Sequence, residues 1–91
     1  MRIKPLDSAL SDLEGIAIYY QRVGGNALAS KMVKRIRQPI NNLKMHPYLG
    51  TPYNRVLRRL VVADGLFLVF YRIEQDIIQV VHIRRAEQDL I

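Results

Sequence analysis

The side chains of this chain best suited to chemistry stand together near its end, in His82-Ile83-Arg84-Arg85. Guanidinium groups present directed donors that match the oxygens of a phosphate or carboxylate. The four residues close an apolar run and are too polar to be core, so this strand end is where an anion-binding face is expected. Arg58 and Arg59 in an upstream strand, and Arg72 beside Tyr71, could bring further charged groups onto the same sheet. Successive strand residues point to opposite faces, so Arg58 and Arg59 must diverge. The same pattern also fits a solvated basic rim with one arginine tied to an acidic neighbour such as Asp12 or Glu14, and spacing alone leaves both readings open.

Other chemistries find little support. His46 and His82 are the only histidines and cysteine is absent, which rules out disulfides and leaves no recognisable zinc spacing. His46 precedes Pro47 and reads as a turn residue. Tyr19, Tyr20 and Tyr71 read as core aromatics with a wetted hydroxyl rather than base-stacking platforms. No nucleophile–base pattern, glycine-rich phosphate loop or paired carboxylate motif is visible, and neither a metal nor a cofactor is implied. The net charge of +6 points to nucleic acid or an acidic protein as partner. The longest apolar run, the six residues Leu66–Tyr71 closed by Arg72, is far short of the ~20 a membrane helix needs. With no apolar leader after Arg2 and Lys4, a soluble cytoplasmic chain is expected.

The elements that must position the basic end can be read from periodicity. Leu66–Ile73 and Ile77–Ile83 are rich in Val, Ile, Phe and Tyr and flank the polar break Glu74-Gln75-Asp76, the pattern of a central hairpin. Met1–Leu6 alternates and contains Pro5, which suits a short edge strand. Asp7 or Ser8 is expected to cap a helix whose apolar stripe is Ala9, Leu10, Leu13, Ile16, Ala17 and Tyr20. Gly24-Gly25 should stop that helix, and Asn26 should cap a second one burying Leu28, Ala29, Met32, Ile36, Ile40 and Leu43. Pro39 lies inside the second helix and predicts a kink or break. His46–Pro52 reads as a loop, Arg55–Val62 as a strand, and Ala63-Asp64-Gly65 as a turn. The order is β-α-α-β-β-β in a single α+β domain over residues 1–91. An αα-hairpin packs on a mainly antiparallel sheet of about four strands, with the place of the first strand left open.

Read together, several segments are similar to one family. They are Asp12-Leu13-Glu14, Ile40-Asn41-Asn42-Leu43, His46-Pro47-Tyr48-Leu49-Gly50, Leu57–Val62, Leu68–Ile73 and Ile78–Arg85. In this order they resemble the RelE/ParE superfamily of bacterial toxins from type II toxin–antitoxin systems, over nearly the whole chain. RelE-like members are ribosome-dependent endoribonucleases that cut mRNA, whereas ParE-like members poison DNA gyrase without a known enzymatic reaction of their own. The RelE-like pattern places an essential arginine two residues after the glycine opening the third strand; here Gly65 and Leu66 are followed by Phe67. Its late catalytic tyrosine also has no counterpart after Arg85. The Phe-Tyr-Arg strand and the His-x-Arg-Arg ending resemble ParE-like members, although Ala86 stands where an aspartate usually follows and Asp89 comes later.

The resemblance implies a toxin of the plasmid-stabilisation type that inhibits DNA gyrase and is neutralised by a cognate acidic antitoxin. Target contacts would fall on Arg58, Tyr71, Arg72, His82, Arg84 and Arg85. The antitoxin would meet Lys31, Lys34 and Arg37 on the outer helix faces, and no catalytic residue is implied. Two alternatives remain beside it. One is a RelE-like endoribonuclease acting on mRNA at the ribosome through Arg58, His82, Arg84 and Arg85; the other is an inactive toxin retained as an antitoxin-binding module.

Overall fold

The computed structural model describes residues 1–88. Strand β1 (Arg2–Pro5) leads into the helical stretch α1 (Asp7–Asn42), followed by β2 (Thr51–Pro52), β3 (Arg58–Val62), β4 (Phe67–Glu74), β5 (Ile77–Arg85) and a 3-10 turn, Ala86–Gln88. The strands form one sheet in the order β1-β5-β4-β3-β2. β1 runs parallel to β5, and all other neighbours are antiparallel. The α+β class is therefore found, with five strands instead of about four. The additional strand is β2, two residues paired as Thr51↔Arg59 and Pro52↔Arg58. Its Pro52 lacks a backbone donor, which confines so short a strand to the sheet edge. β3 is also shorter than expected. Asn54 Oδ1 accepts from the N–H groups of Val56 and Leu57 at 2.9 and 2.7 Å, and this turn holds the chain out of the ladder until Arg58.

The two expected helices are one helical stretch with a single non-helical residue, Gly25, at φ +84° and ψ −177°. Thirty-six residues of straight helix would span about 54 Å, yet the molecule is 39 Å in its longest dimension. Gly25 turns the chain back, because a residue without Cβ tolerates that dihedral. Limbs 7–24 and 26–42 consequently feed one core, the first through Ala9, Leu13, Ile16 and Tyr20, the second through Leu28, Met32, Ile36 and Ile40. Asn26 caps nothing there; its Oδ1 accepts from Gln21 Nε2 at 2.8 Å. The break expected at Pro39 does not occur, since Gly25 is the only residue within α1 with non-helical dihedrals. Ile36, Ile40 and Leu43 are buried on both sides of it, and at about 1.5–3 kcal/mol each they offset the one lost backbone bond. Among the described residues no helix is long and apolar enough to cross a membrane.

The helices cover one face of the sheet, packing on Leu60, Val62, Phe67, Val69, Tyr71, Ile78, Val80 and Ile83. Between β4 and β5 the register shifts: Tyr71 faces Val80, but Phe70 faces His82. Val81 is thus an extra residue, a bulge that changes which side chains face which way. Without it His82 would pair with Val69 and enter the core. With it Ile83 pairs with Val69 and is buried, while His82 and Arg84 pair with Phe70 and Leu68 on the face away from the helices.

Candidate functional site

β1 stops pairing at Pro5↔Val80, whereas β5 continues to Arg85. An unpaired strand edge is a liability unless something covers it, and here the start of α1 does so. The Leu6 N–H donates to Val80 O at 2.9 Å, Ser8 Oγ donates to Val81 O at 2.6 Å, and the Ile83 N–H donates to Asp12 Oδ2 at 3.0 Å. Ser8 and Asp7 therefore do not cap the helix as expected. Leu6 takes the cap position with no side-chain bond, and Ser8 is used along the strand edge.

Asp12, fixed on that edge, gathers the basic end of β5. Its Oδ2 lies 3.1 Å from His82 Nδ1 and its Oδ1 lies 3.6 Å from Arg84. The carboxylate side chain is only 19% exposed, so these contacts are less screened than a surface pair. Arg85 points the other way, opposite Phe67 on the helix side. Its guanidinium stands over the Tyr19 ring at 4.3 Å and reaches Glu87 at 3.5 Å. Contact with Tyr19 lifts the Arg85 pKa above its ordinary value against a smaller opposing desolvation, and Glu87 adds to the lift. Arg84 Nε is buried without a hydrogen-bond partner. A groove runs between α1 and β5, lined by Asp12, Ile16, Tyr19, Arg84 and Arg85, with Gly15 on its wall. A Cβ at Gly15 would meet nothing within 4 Å, so this glycine, costing about 1 kcal/mol of helix propensity, leaves the groove wider.

The structure divides the residues named from the sequence. His82, Arg84 and Arg85 share the end of β5, as expected. Tyr71 does not join them: it is 0% exposed, accepts from the Gly50 N–H at 2.9 Å and donates to Pro47 O at 2.8 Å. No partner can reach it in this fold, and its hydroxyl is not wetted. Arg58 also serves the adjoining loop, donating to Gly50 O at 2.5 Å and Tyr48 O at 3.2 Å. Arg72 lies further along the sheet, bonded to Gln79 at 2.6 Å and 3.7 Å from Glu74. The arginine that does share a cross-strand row with His82 is Arg59, through Phe70. Tyr53 packs edge-on against Phe70 with ring centroids 4.8 Å apart, and Arg59 stands 5.9 Å from the Tyr53 ring. Strand alternation was the signal that one of Arg58 and Arg59 had to take this face.

Lys31, Lys34 and Arg37 are exposed on the second limb of α1. Arg37 rims an apolar groove formed with Ile3, Leu10, Leu13 and Ile40. Arg35, between them, is tied to Asp64 at 2.5 Å. Among the described residues no cluster of His, Asp or Glu could hold a metal ion.

A helical pair laid across one face of a mixed five-stranded sheet, with a groove holding Arg84 and Arg85 where the last strand outruns its neighbour, defines a small basic α+β domain. The family model for the ParE toxin of the type II toxin–antitoxin system parDE matches residues 3–90, and the chain belongs to that family. Among solved structures it is similar to a chain of the chromosomal ParDE toxin–antitoxin system from P. aeruginosa, at 26% identity and a TM-score of 0.84, covering 93% of this chain and 95% of that one. A comparison with curated protein sequences finds no match.

Proposed function

We propose that this chain is a toxin that inhibits DNA gyrase in the cytoplasm and is neutralised by a cognate acidic antitoxin. The observation that carries the choice of target is Phe67. At the position where the RelE-like pattern needs an arginine, this side chain is 1% exposed and packs edge-on to Tyr20 at 6.3 Å. A buried phenyl ring offers no donor to charge developing on a phosphate, which is what ribonuclease chemistry requires there. Target contact then falls to the groove of Arg84 and Arg85 with His82, and to the exposed edges of Arg58 and Arg72. The antitoxin would meet Lys31, Lys34 and Arg37, where a disordered acidic segment can fold onto the helices as it binds.

A second reading draws support from the row of Arg59, His82 and Arg84 on the face away from the helices: an RNA-binding face acting on mRNA at the ribosome. A paired assay separates the two. Purified protein is added to gyrase-mediated DNA cleavage and supercoiling reactions, and in parallel to translation reactions read by toeprinting. Gyrase inhibition without cuts at ribosomal A-site codons is the expected result; such cuts without a gyrase effect would overturn it.

A further inference from the structure

Between α1 and β2 the chain leaves three large apolar side chains in water: Met45 at 79% exposure, Tyr48 at 67% and Leu49 at 54%. The loop beneath them is held from several directions. The Tyr71 hydroxyl bonds both Pro47 O and the Gly50 N–H, and Arg58 bonds the carbonyls of Tyr48 and Gly50. Gly50 is buried so closely that a Cβ would lie 2.8 Å from Arg59 O and from the Tyr71 ring. A surface whose backbone is fixed before binding loses little further freedom on association. An exposed methionine and tyrosine on such a frame are residue types enriched at protein interfaces.

The surroundings select the occupant. No acidic residue lies between Glu14 and Asp64, and Lys44, Arg55 and Arg58 fall in that stretch. Nucleic acid fits poorly. Nη2 of Arg58 is tied to two backbone carbonyls and its guanidinium stands 5.0 Å from the Tyr48 ring, while Met45 and Leu49 offer no flat face on which a base could stack. Flexible aliphatic chains beside a tyrosine fit a pocket in a protein. We infer that Met45, Tyr48 and Leu49 form a docking knuckle for a folded protein that offers an apolar pocket rimmed by carboxylates. Resting on the toxin reading above, that protein is the toxin's target, and the antitoxin is served by the cations of α1.

The test uses the full chain, purified DNA gyrase as the probe, and the variants Tyr48→Ala/Leu49→Ala, Leu49→Asp and Leu49→Lys. All three variants change only Tyr48 or Leu49, both exposed, so the thermal midpoint should move by no more than a few degrees. The double variant is expected to bind gyrase about thirtyfold more weakly while still co-purifying with its cognate antitoxin. Leu49→Asp should lose more than Leu49→Lys, because a like charge would face the carboxylate rim. Wild-type affinity in the double variant would overturn the knuckle while leaving the toxin reading intact. Equal losses in the two charged variants would overturn the carboxylate rim. Loss of the antitoxin, or of single-stranded oligonucleotide binding, in place of gyrase would overturn the assignment to the target. No gyrase binding by the parent chain would instead overturn the toxin reading, and the knuckle's assignment to gyrase with it.

Discussion

Tyr71→Phe removes one oxygen atom and tests whether the loop is braced as described. The ring stays, so the apolar area buried by Tyr71, which is 0% exposed, is unchanged. Two hydrogen bonds go: the Gly50 N–H loses its acceptor at 2.9 Å and Pro47 O loses its donor at 2.8 Å. Pro47 is half-buried and water can replace the lost donor. Gly50 is buried, so its N–H is left without a partner, which costs about 1–3 kcal/mol. A net loss of about 2 kcal/mol corresponds to a fall in Tm of roughly 8–16 °C in a domain of this size. The assay is urea and thermal denaturation of parent and variant, with hydrogen exchange of the Gly50 amide read by NMR. The variant should exchange that amide much faster while the β4–β5 ladder stays protected. A Tm within about 2 °C of the parent, with the Gly50 amide still protected, would refute the reasoning.

Gly50→Ala should destabilise by about 1–3 kcal/mol through overpacking against Arg59 O and the Tyr71 ring, and combining it with Tyr71→Phe should cost less than the sum, as a double-mutant cycle in urea would show. Asp12→Ala should lower stability by about 1 kcal/mol by uncovering the Ile83 N–H on the strand edge. Asp12→Asn keeps an acceptor there and should cost less, so denaturation midpoints that rank the other way would argue against edge coverage. Arg84→Ala and Arg85→Ala give up half-exposed contacts with Asp12 and Tyr19 and should each cost no more than about 1 kcal/mol of stability. They should weaken gyrase poisoning about tenfold or more, measured as cleaved DNA and growth inhibition, and a folded double variant as toxic as its parent would move the site elsewhere on the sheet.

What was legible in the sequence was legible because it is local. Apolar stripes in α1 mark the faces that meet the sheet, and the runs on either side of Glu74-Gln75-Asp76 mark the central hairpin, since each depends on residues a few positions apart. β1 could not be placed because its parallel partner, β5, lies at the other end of the chain, and four residues carry no register of their own. β2 was missed because two residues, one of them Pro52, make no periodic signal. The resemblance implies both Tyr71 and Arg72 as target contacts, yet adjacent strand residues must part, and only the position of the helices decides which one is buried. Gly25 and Pro39 show the limit of local rules in opposite directions. The glycine turns the chain without any loop, while the proline leaves the helix whole because three buried neighbours hold it there.

The basic end of β5 depends on two mismatches that no single motif encodes. β1 is shorter than β5, so the edge past Val80 is covered by polar side chains of α1 instead of a strand, and this brings Asp12 to His82 and Arg84. Val81 is one residue too many, so the alternation of Ile78 and Val80 resumes at Ile83 instead of His82. A trace of that second mismatch stands in the sequence, where neither run alternates cleanly, but it has meaning only against the partner strand. Pair Val81 with Phe70 in an unbulged ladder and the register would send His82 toward Val69 and Ile83 into water, exchanging a buried apolar side chain for a polar imidazole. The cost of such an exchange is several kcal/mol, which is why the core itself fixes the direction of the arginines. The same packing that stabilises the sheet therefore aims Arg84 and Arg85 to opposite faces of one strand end.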